Sequence, residues 1–167
     1  LMINKTCICD VDNTLFNFSQ PLHAALQFEL LDKGIKVPPI SEWREWNFYR
    51  EFTDKKTFYS VVNFLHKSQE IFKPFEYTQE LLSKVSEDYY VIIASHREQN
   101  SKKQLENWLN INNLKHDDIF LSFDKTVLFM NENVKLVIDD NPEILKKASD
   151  KDIKAYGILY PWNESLI

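Results

Sequence analysis

Two pairs of acidic residues follow apolar stretches at opposite ends of the chain. Asp10 and Asp12 come after the run TCIC, and Asp139 and Asp140 come after the run LVI. Carboxylates can hold a hard divalent cation such as magnesium, which cancels the charge that keeps a phosphate dianion away from an anionic nucleophile. An aspartate can then attack phosphorus to form an acyl phosphate, while a second acid protonates the leaving oxygen and later activates water. The spacing therefore favours phosphoryl transfer, with Asp10 as nucleophile and Asp12 as acid and base.

A hydroxyl and a cation occupy comparable positions in the middle of the chain. Ser95 ends the run YYVIIA, His96 and Arg97 follow it, and Lys125 comes shortly after the run IFLSF. A hydroxyl and an ammonium group can hold the phosphoryl oxygens on which negative charge accumulates. We therefore expect Ser95 and Lys125 to act in catalysis, with Ser95 also binding substrate. His96 and Arg97 are expected to face the phosphate as binding residues.

Each of these positions has a plain structural alternative. The first acidic pair could close a solvated turn, and Asp139 and Asp140 could form a turn that caps a helix starting at Pro142. Ser95 could cap the helix that follows it, a role compatible with binding phosphate at a helix N-terminus. Neighbouring carboxylates at a buried strand end are costly without a cation, however, so the metal-binding interpretation is favoured.

The elements that must position these residues alternate between strands and helices. The predicted strands are Ile3–Val11, Tyr89–Ala94, Ile119–Phe123, Lys135–Ile138 and Tyr156–Tyr160. The predicted helices between them are Thr78–Val85, Ser101–Leu109 and Pro142–Ala148. Continuous apolar strands alternating with helices indicate an α/β fold, a three-layer α/β/α core with a parallel sheet. Such sheets bind ligands at the carboxyl ends of their strands, where the polar residues lie.

Residues 19–73 interrupt this alternation because they contain no clear strand. The helix-like stretches in this segment are Pro21–Leu31, Glu42–Glu51 and Thr53–His66. We predict a catalytic core formed by residues 1–18 and 74–167, and a small helical cap insertion over residues 19–73. A cap of this kind would close over the substrate and exclude water.

Composition restricts the class of partner. The 167 residues are 44% hydrophobic and carry a net charge of -5 with no block of basic residues, which argues against a nucleic-acid polymer or a membrane surface as partner. The apolar runs are far shorter than the ~20 residues of a transmembrane helix, and the start of the chain lacks a signal-peptide pattern. Cys7 and Cys9 are expected to be buried and unpaired. We expect a cytoplasmic monomer or homodimer that acts on a small molecule.

The four polar segments together resemble the motifs of the haloacid dehalogenase-like (HAD) superfamily of phosphohydrolases. In chain order, the matching segments are DVDNT at 10–14, Ser95, Lys125 and LVIDD at 136–140. The resemblance implies a Rossmann-like HAD core, an aspartyl-phosphate intermediate and Mg²⁺ as cofactor. The metal residues that it implies are Asp10, Asp12, Asp139 and Asp140. For the last two of these residues, the resemblance implies that Asp140 binds the metal directly, whereas Asp139 acts through water or pairs with Lys125.

Two segments resemble one branch more narrowly, the 5'(3')-deoxyribonucleotidases (type C 5'-nucleotidases) and their bacterial and phage relatives. These are DKTV at 124–127 and VIDDNPE at 137–143. The resemblance implies a 5'-nucleotidase for (deoxy)nucleoside monophosphates, with Phe18 stacking on the nucleobase. Trp46, in an aromatic-rich stretch, is the second candidate for stacking.

The chain also departs from that branch. Asn13 stands where many members have glycine, and Ser95-His96-Arg97 replaces the Thr-Ser-Pro of the animal enzymes. Substrate choice therefore has alternatives: a phosphatase for a sugar phosphate or another small metabolite, or a catalytically silent protein that binds phosphate or a protein partner.

Overall fold

A computed structural model describes residues 4–166, which contain one five-stranded sheet. Its strands are β1 (Thr6–Cys9), β2 (Tyr90–Ser95), β3 (Asp118–Leu121), β4 (Val134–Ile138) and β5 (Lys154–Tyr156). The strand order is β3-β2-β1-β4-β5, and all neighbouring strands are parallel. Strand β1 lies at the centre, and all four of its residues are buried, as its continuous apolar sequence requires.

Helices cover both faces of this sheet. They are α1 (Ser19–Leu30), α2 (Lys55–Lys67), α3 (Thr78–Asp88), α4 (Lys102–Ile111) and α5 (Pro142–Asp150). Side chains of β1 point alternately to opposite faces. Cys7 and Cys9, which are unpaired, pack into one apolar cluster together with residues of α1 to α4. Ile8 packs into the other cluster, together with Ile144 and Ala148 of α5. The predicted three-layer α/β fold with a parallel sheet is therefore confirmed.

The predicted position of the last strand is wrong. The strand was expected over Tyr156–Tyr160, but β5 ends at Tyr156. At Gly157 the backbone passes so close to the end of β4 that a Cβ atom would collide with the carbonyl oxygen of Asp139. Beyond it the chain leaves the sheet and forms a turn, in which the Tyr160 N–H donates to Asn163 Oδ1. The first predicted strand began at Ile3, which lies outside the described residues.

The segment 19–73 contains α1, α2 and several short 3₁₀ turns. The predicted helix over Glu42–Glu51 is wrong, because only the turns Ile40–Glu42 and Phe48–Glu51 form there. Trp43 and Phe48 stack with ring centroids 4.0 Å apart. In an α-helix, residues five apart point about 140° away from each other, so this stacking excludes a regular helix. The division into core and cap stays a prediction. Among residues 4–166, no helix is long and apolar enough to cross a membrane.

Candidate active site

The loop after β1 owes its shape to Asn13. Its backbone has φ of 62°, a left-handed conformation that asparagine adopts more readily than most other residues. The side-chain oxygen accepts the N–H groups of Phe18 and Ser19 at 3.0 Å each, and the side-chain nitrogen donates to Ser19 Oγ at 2.9 Å. One asparagine thus reverses the chain after Asp10 and starts α1, which gives a physical reason why it can stand where glycine is common.

Lys125 joins the ends of three strands. It is 2% exposed, and its Nζ donates to Asp10 Oδ1 at 2.8 Å, to Asp139 Oδ2 at 2.7 Å and to the Ala94 carbonyl at 3.3 Å. These three bonds use all the donors of the ammonium group. Burial alone would lower the pKa of Lys125, but Asp10 and Asp139 outweigh burial and raise it. Lys125 therefore stays charged and holds both carboxylates in place.

Three carboxylates crowd around this lysine. Oxygens of Asp10, Asp139 and Asp140 all lie within 4.8 Å of one another, and all three residues are buried. Burial, together with the charge of Asp10, raises the pKa of Asp139 to about 6 and raises that of Asp140 well above its ordinary value. One ammonium cannot balance three carboxylates, so the group favours an additional cation. Its oxygen ligands suit a hard divalent ion.

Neighbouring groups fix the orientation of these carboxylates. The Thr14 hydroxyl donates to Asp10 Oδ2 at 2.9 Å, and the Trp162 indole N–H donates to Asp140 Oδ2 at 3.2 Å. The backbone N–H of Asn141 donates to Asp139 Oδ1 at 2.9 Å. Both oxygens of Asp139 and both oxygens of Asp10 already accept hydrogen bonds, whereas Trp162 donates to only one oxygen of Asp140. Asp140 is therefore the best placed direct ligand for a cation, with Asp10 beside it.

Asp12 lies outside this group of carboxylates. Its Oδ1 accepts from the Arg97 guanidinium at 2.8 Å, and its Oδ2 lies 2.6 Å from His66 Nε2. A carboxylate can only accept, so the imidazole donates its Nε2–H in this contact. Burial would raise the pKa of Asp12, but His66 and Arg97 outweigh it and lower the pKa to about 2. In this arrangement Asp12 is an ionised carboxylate, and the metal role expected for it stays a prediction.

Arg97 is committed to protein groups. Besides Asp12, it donates to Ser95 Oγ at 2.8 Å and to Gln69 Oε1 at 3.1 Å. Arg97 is 2% exposed and Ser95 is 1% exposed. Ser95 and Arg97, which were both expected to bind phosphate, are therefore hydrogen-bonded to each other. Their roles in phosphate binding stay predictions. Arg97 instead connects the end of β2 to Asp12 and to the turn that follows α2.

His66 is a residue of the site that the sequence alone does not reveal. This residue lies 54 positions from Asp12, and nothing in the local sequence indicates a partner. The available signal was its place on the buried face of α2, where it follows Phe58, Val61, Val62 and Leu65. A buried histidine on an otherwise apolar helix face requires a polar partner. Only the docking of α2 on the sheet shows that this partner is Asp12.

An aromatic cavity of about 120 Å³ opens over these charged groups. Asp10, Asp12 and Lys125 line it on the core side, and Phe18, Trp46 and His96 line it together with other rings of the 19–73 segment. Phe18 is 6% exposed and stacks on His66 with ring centroids 5.3 Å apart, whereas Trp46 is 38% exposed. Burial, with a smaller effect from Lys125, lowers the pKa of His96 to about 4, so His96 is neutral. The structure thus brings these three binding candidates to the cavity beside Asp10.

Comparison with known proteins finds similarity in structure. No protein-family model matches the chain, and no curated protein matches its sequence. A haloacid dehalogenase-like family hydrolase from Streptococcus pneumoniae is 17% identical, with a TM-score of 0.71 over 98% of this chain and 90% of that one. A predicted phosphatase from Clostridium acetobutylicum is 17% identical, with a TM-score of 0.68 over 98% of this chain and 89% of that one.

A third similar structure contains a metal. The HAD-hydrolase YfnB from Bacillus subtilis, solved with bound magnesium, is 14% identical, with a TM-score of 0.56 over 97% of this chain and 96% of that one. At sequence identities of 14% to 17%, the comparisons support a shared fold. The chain therefore has the fold of the haloacid dehalogenase-like hydrolases and phosphatases.

Proposed function

We propose that this chain is a magnesium-dependent phosphomonoester hydrolase that acts through an aspartyl phosphate on Asp10. The observation that carries this proposal is the buried group of Asp10, Asp139 and Asp140 around Lys125, which opens into the aromatic cavity. Asp10 and Asp140, with Asp139 beside them, would hold the cation. Magnesium bound there would neutralise charge on the phosphate and orient one of its oxygens.

The residues of the chain then divide the reaction between them. Lys125 and Thr14 hold the two oxygens of the Asp10 carboxylate, so the nucleophile is oriented before substrate arrives. When Asp10 bonds to phosphorus, the ester oxygen leaves with the bonding electrons and takes a proton from Asp12. Water then attacks the acyl phosphate and gives its proton back to Asp12, which releases phosphate and restores Asp10.

Asp12 must be protonated for the first of these steps, although His66 and Arg97 keep its pKa at about 2 without substrate. A phosphate dianion brought next to Asp12 opposes the ionised form and raises the pKa. The leaving oxygen would compete with one of the two partners for the carboxylate. We infer that substrate binding raises the pKa of Asp12 far enough for its carboxylate to take up the proton.

We expect the preferred substrate to be a nucleoside monophosphate, so that the chain acts as a 5'-nucleotidase. The support is the aromatic lining of the cavity, because a base stacks favourably on rings such as Phe18 and Trp46. A second candidate, a sugar phosphate or another small metabolite, is favoured by the volume of about 120 Å³, well below the ~300–1,000 Å³ of drug-sized sites. A whole nucleotide therefore requires the 19–73 segment to open, whereas a smaller ester does not.

A substrate panel tests this proposal. With magnesium present, we expect the chain to release phosphate from phosphomonoesters, with a higher kcat/KM for nucleoside monophosphates than for sugar phosphates. A chelator should abolish release and added magnesium should restore it, because the carboxylates cannot neutralise the substrate themselves. A preference for sugar phosphates would select the second candidate. No release from any ester, including an activated aryl phosphate, would indicate a silent phosphate-binding protein.

His66 provides a further prediction for this mechanism. His66→Ala removes one of the groups that orient Asp12, so proton transfer to the leaving oxygen should slow. For an alkyl phosphate, whose leaving group needs a proton, we expect kcat to fall about 10- to 100-fold. The first release of nitrophenol from nitrophenyl phosphate should change far less, because that leaving group departs as an anion.

Two variants control this experiment. His66→Gln retains an N–H donor and should recover part of the lost rate. Within residues 4–166, the ring of His116 has one hydrogen-bond partner, the Leu114 carbonyl. His116→Ala should therefore leave both rates unchanged. Equal losses on both substrates together with a lower melting temperature would assign His66 a packing role instead.

A further inference from the structure

A second cavity, of about 500 Å³, adjoins the aromatic cavity. The two share the side chains of Tyr59, Val62, His66 and His96 in their linings. The second cavity is also lined by Lys55 and Lys56 from the first turn of α2, by Asn63, and by Arg97 and its neighbours after β2. We call it the lysine groove. Its volume falls within the ~300–1,000 Å³ typical of small-molecule sites.

Two residues that line the groove each have a buried polar atom without a partner. Asn63 Oδ1 and His96 Nε2 are buried, and neither has a hydrogen-bond partner among residues 4–166. Buried polar side-chain atoms in native proteins usually have one. An amide and an imidazole can both present an N–H group, because the amide orientation and the histidine tautomer adapt to their surroundings. Both residues line the groove, so a reorientation of either side chain would let it donate to a ligand held there.

The charge at the groove is positive. Lys55 and Lys56 are exposed, and neither takes part in the ion pairs found within residues 4–166. Glu98 is the acidic residue in the lining, while Arg97 is already paired with Asp12. Two ammonium groups at the rim and two potential donors inside are a suitable environment for an anion.

The position of the groove connects it to the reaction. His66 and Arg97 line it, and both contact the Asp12 carboxylate, at 2.6 and 2.8 Å. A leaving group held in the groove would therefore keep its ester oxygen close to Asp12, while the phosphate lies at Asp10. The aromatic cavity and the groove could then hold different parts of one substrate.

We propose that the lysine groove binds a second anionic group, a phosphate or a carboxylate, carried by the leaving group of the substrate. This proposal rests on the proposed phosphatase function and narrows its substrate class to monoesters with a second negative charge. A nucleoside 3',5'-bisphosphate is a suitable probe, since it differs from the 5'-monophosphate only by that additional group.

The test compares these two nucleotides on matched lysine variants. For the unmodified chain we expect kcat/KM for the bisphosphate to exceed that for the monophosphate by about tenfold, the scale of two exposed ion pairs. The double variant Lys55→Ala/Lys56→Ala should erase this preference and leave the monophosphate unchanged. Lys102→Ala/Lys103→Ala is the matched control, because it removes two exposed lysines from the first turn of α4, away from the groove, and should keep the preference.

Two further arms identify the source of the anion and separate the two proposals. If free succinate alters monophosphate turnover through Lys55 and Lys56 while the bisphosphate has no advantage, the groove binds a free anion and the substrate claim is overturned. Calorimetry on the Asp10→Asn chain measures binding without turnover. A Kd preference for the bisphosphate that depends on the two lysines supports the groove even if the unmodified chain hydrolyses nothing. Turnover without any preference refutes the groove and leaves the phosphatase standing.

Discussion

Asp10→Asn is expected to abolish phosphate release. The amide is neutral and is a very poor nucleophile, so no acyl phosphate can form on it. The substitution also removes a carboxylate from the group of Asp10, Asp139 and Asp140, and with it a ligand for the cation. We expect turnover at the level of buffer alone, and no covalent phosphoryl group on the protein by mass spectrometry after acid quenching.

The stability of this variant should distinguish lost chemistry from lost structure. Repulsion among the three buried carboxylates contributes to the raised pKa values of Asp139 and Asp140, so removing one charge relieves it. In metal-free buffer the melting temperature should therefore stay the same or rise. Asp150→Asn is a suitable control, because Asp150 is exposed and its one ion pair within residues 4–166 is the i,i+4 pair with Lys146. An Asp10→Asn chain that turns over like the unmodified protein would refute the assignment of the nucleophile.

The sequence predicted the convergence at Asp10 because that convergence follows from local pattern and simple topology. Apolar runs that end in polar residues identified the strands, and parallel strands bring their carboxyl ends to one edge. Lys125, Asp139 and Asp140 could therefore be expected near Asp10 without any knowledge of packing. The structure places Lys125 within 2.8 Å of both Asp10 and Asp139.

The surroundings of Asp12 could not be predicted in this way. Whether Arg97 faces substrate or Asp12 depends on rotamers and on the position of Gln69, which belongs to the segment that follows α2. His66 reaches Asp12 only because α2 docks against the core, and no periodic pattern specifies that docking. The 3₁₀ turns near Trp43 formed for a similar reason, since ring stacking outweighed local helix propensity. Contacts between segments that are far apart in sequence therefore cannot be predicted from local sequence patterns.

Asp12→Asn is expected to lower kcat by about 10²- to 10⁴-fold while leaving the Kd for substrate nearly unchanged. The amide cannot give or take the proton in either step, but the phosphate contacts around Asp10 remain. With nitrophenyl phosphate the first step needs no proton, so the variant should release one equivalent of nitrophenol quickly and then stall. The phosphoryl group should accumulate on Asp10, where mass spectrometry can detect it. Slow release without a burst would mean that Asp12 does not activate water.

The stability of Asp12→Asn should change in the opposite direction to that of Asp10→Asn. Arg97 is buried, and its ion pair at 2.8 Å is with Asp12, so the neutral amide leaves a guanidinium without its counter-charge. The loss should be about 1–3 kcal/mol of unfolding free energy, less than for a fully buried pair because the Asp12 side chain is 22% exposed. A companion substitution, Arg97→Met, removes the unpaired charge and should recover part of this loss when combined with Asp12→Asn. Chemical denaturation of the single and double variants measures the coupling, and a strictly additive result would show that the pair does not stabilise the fold.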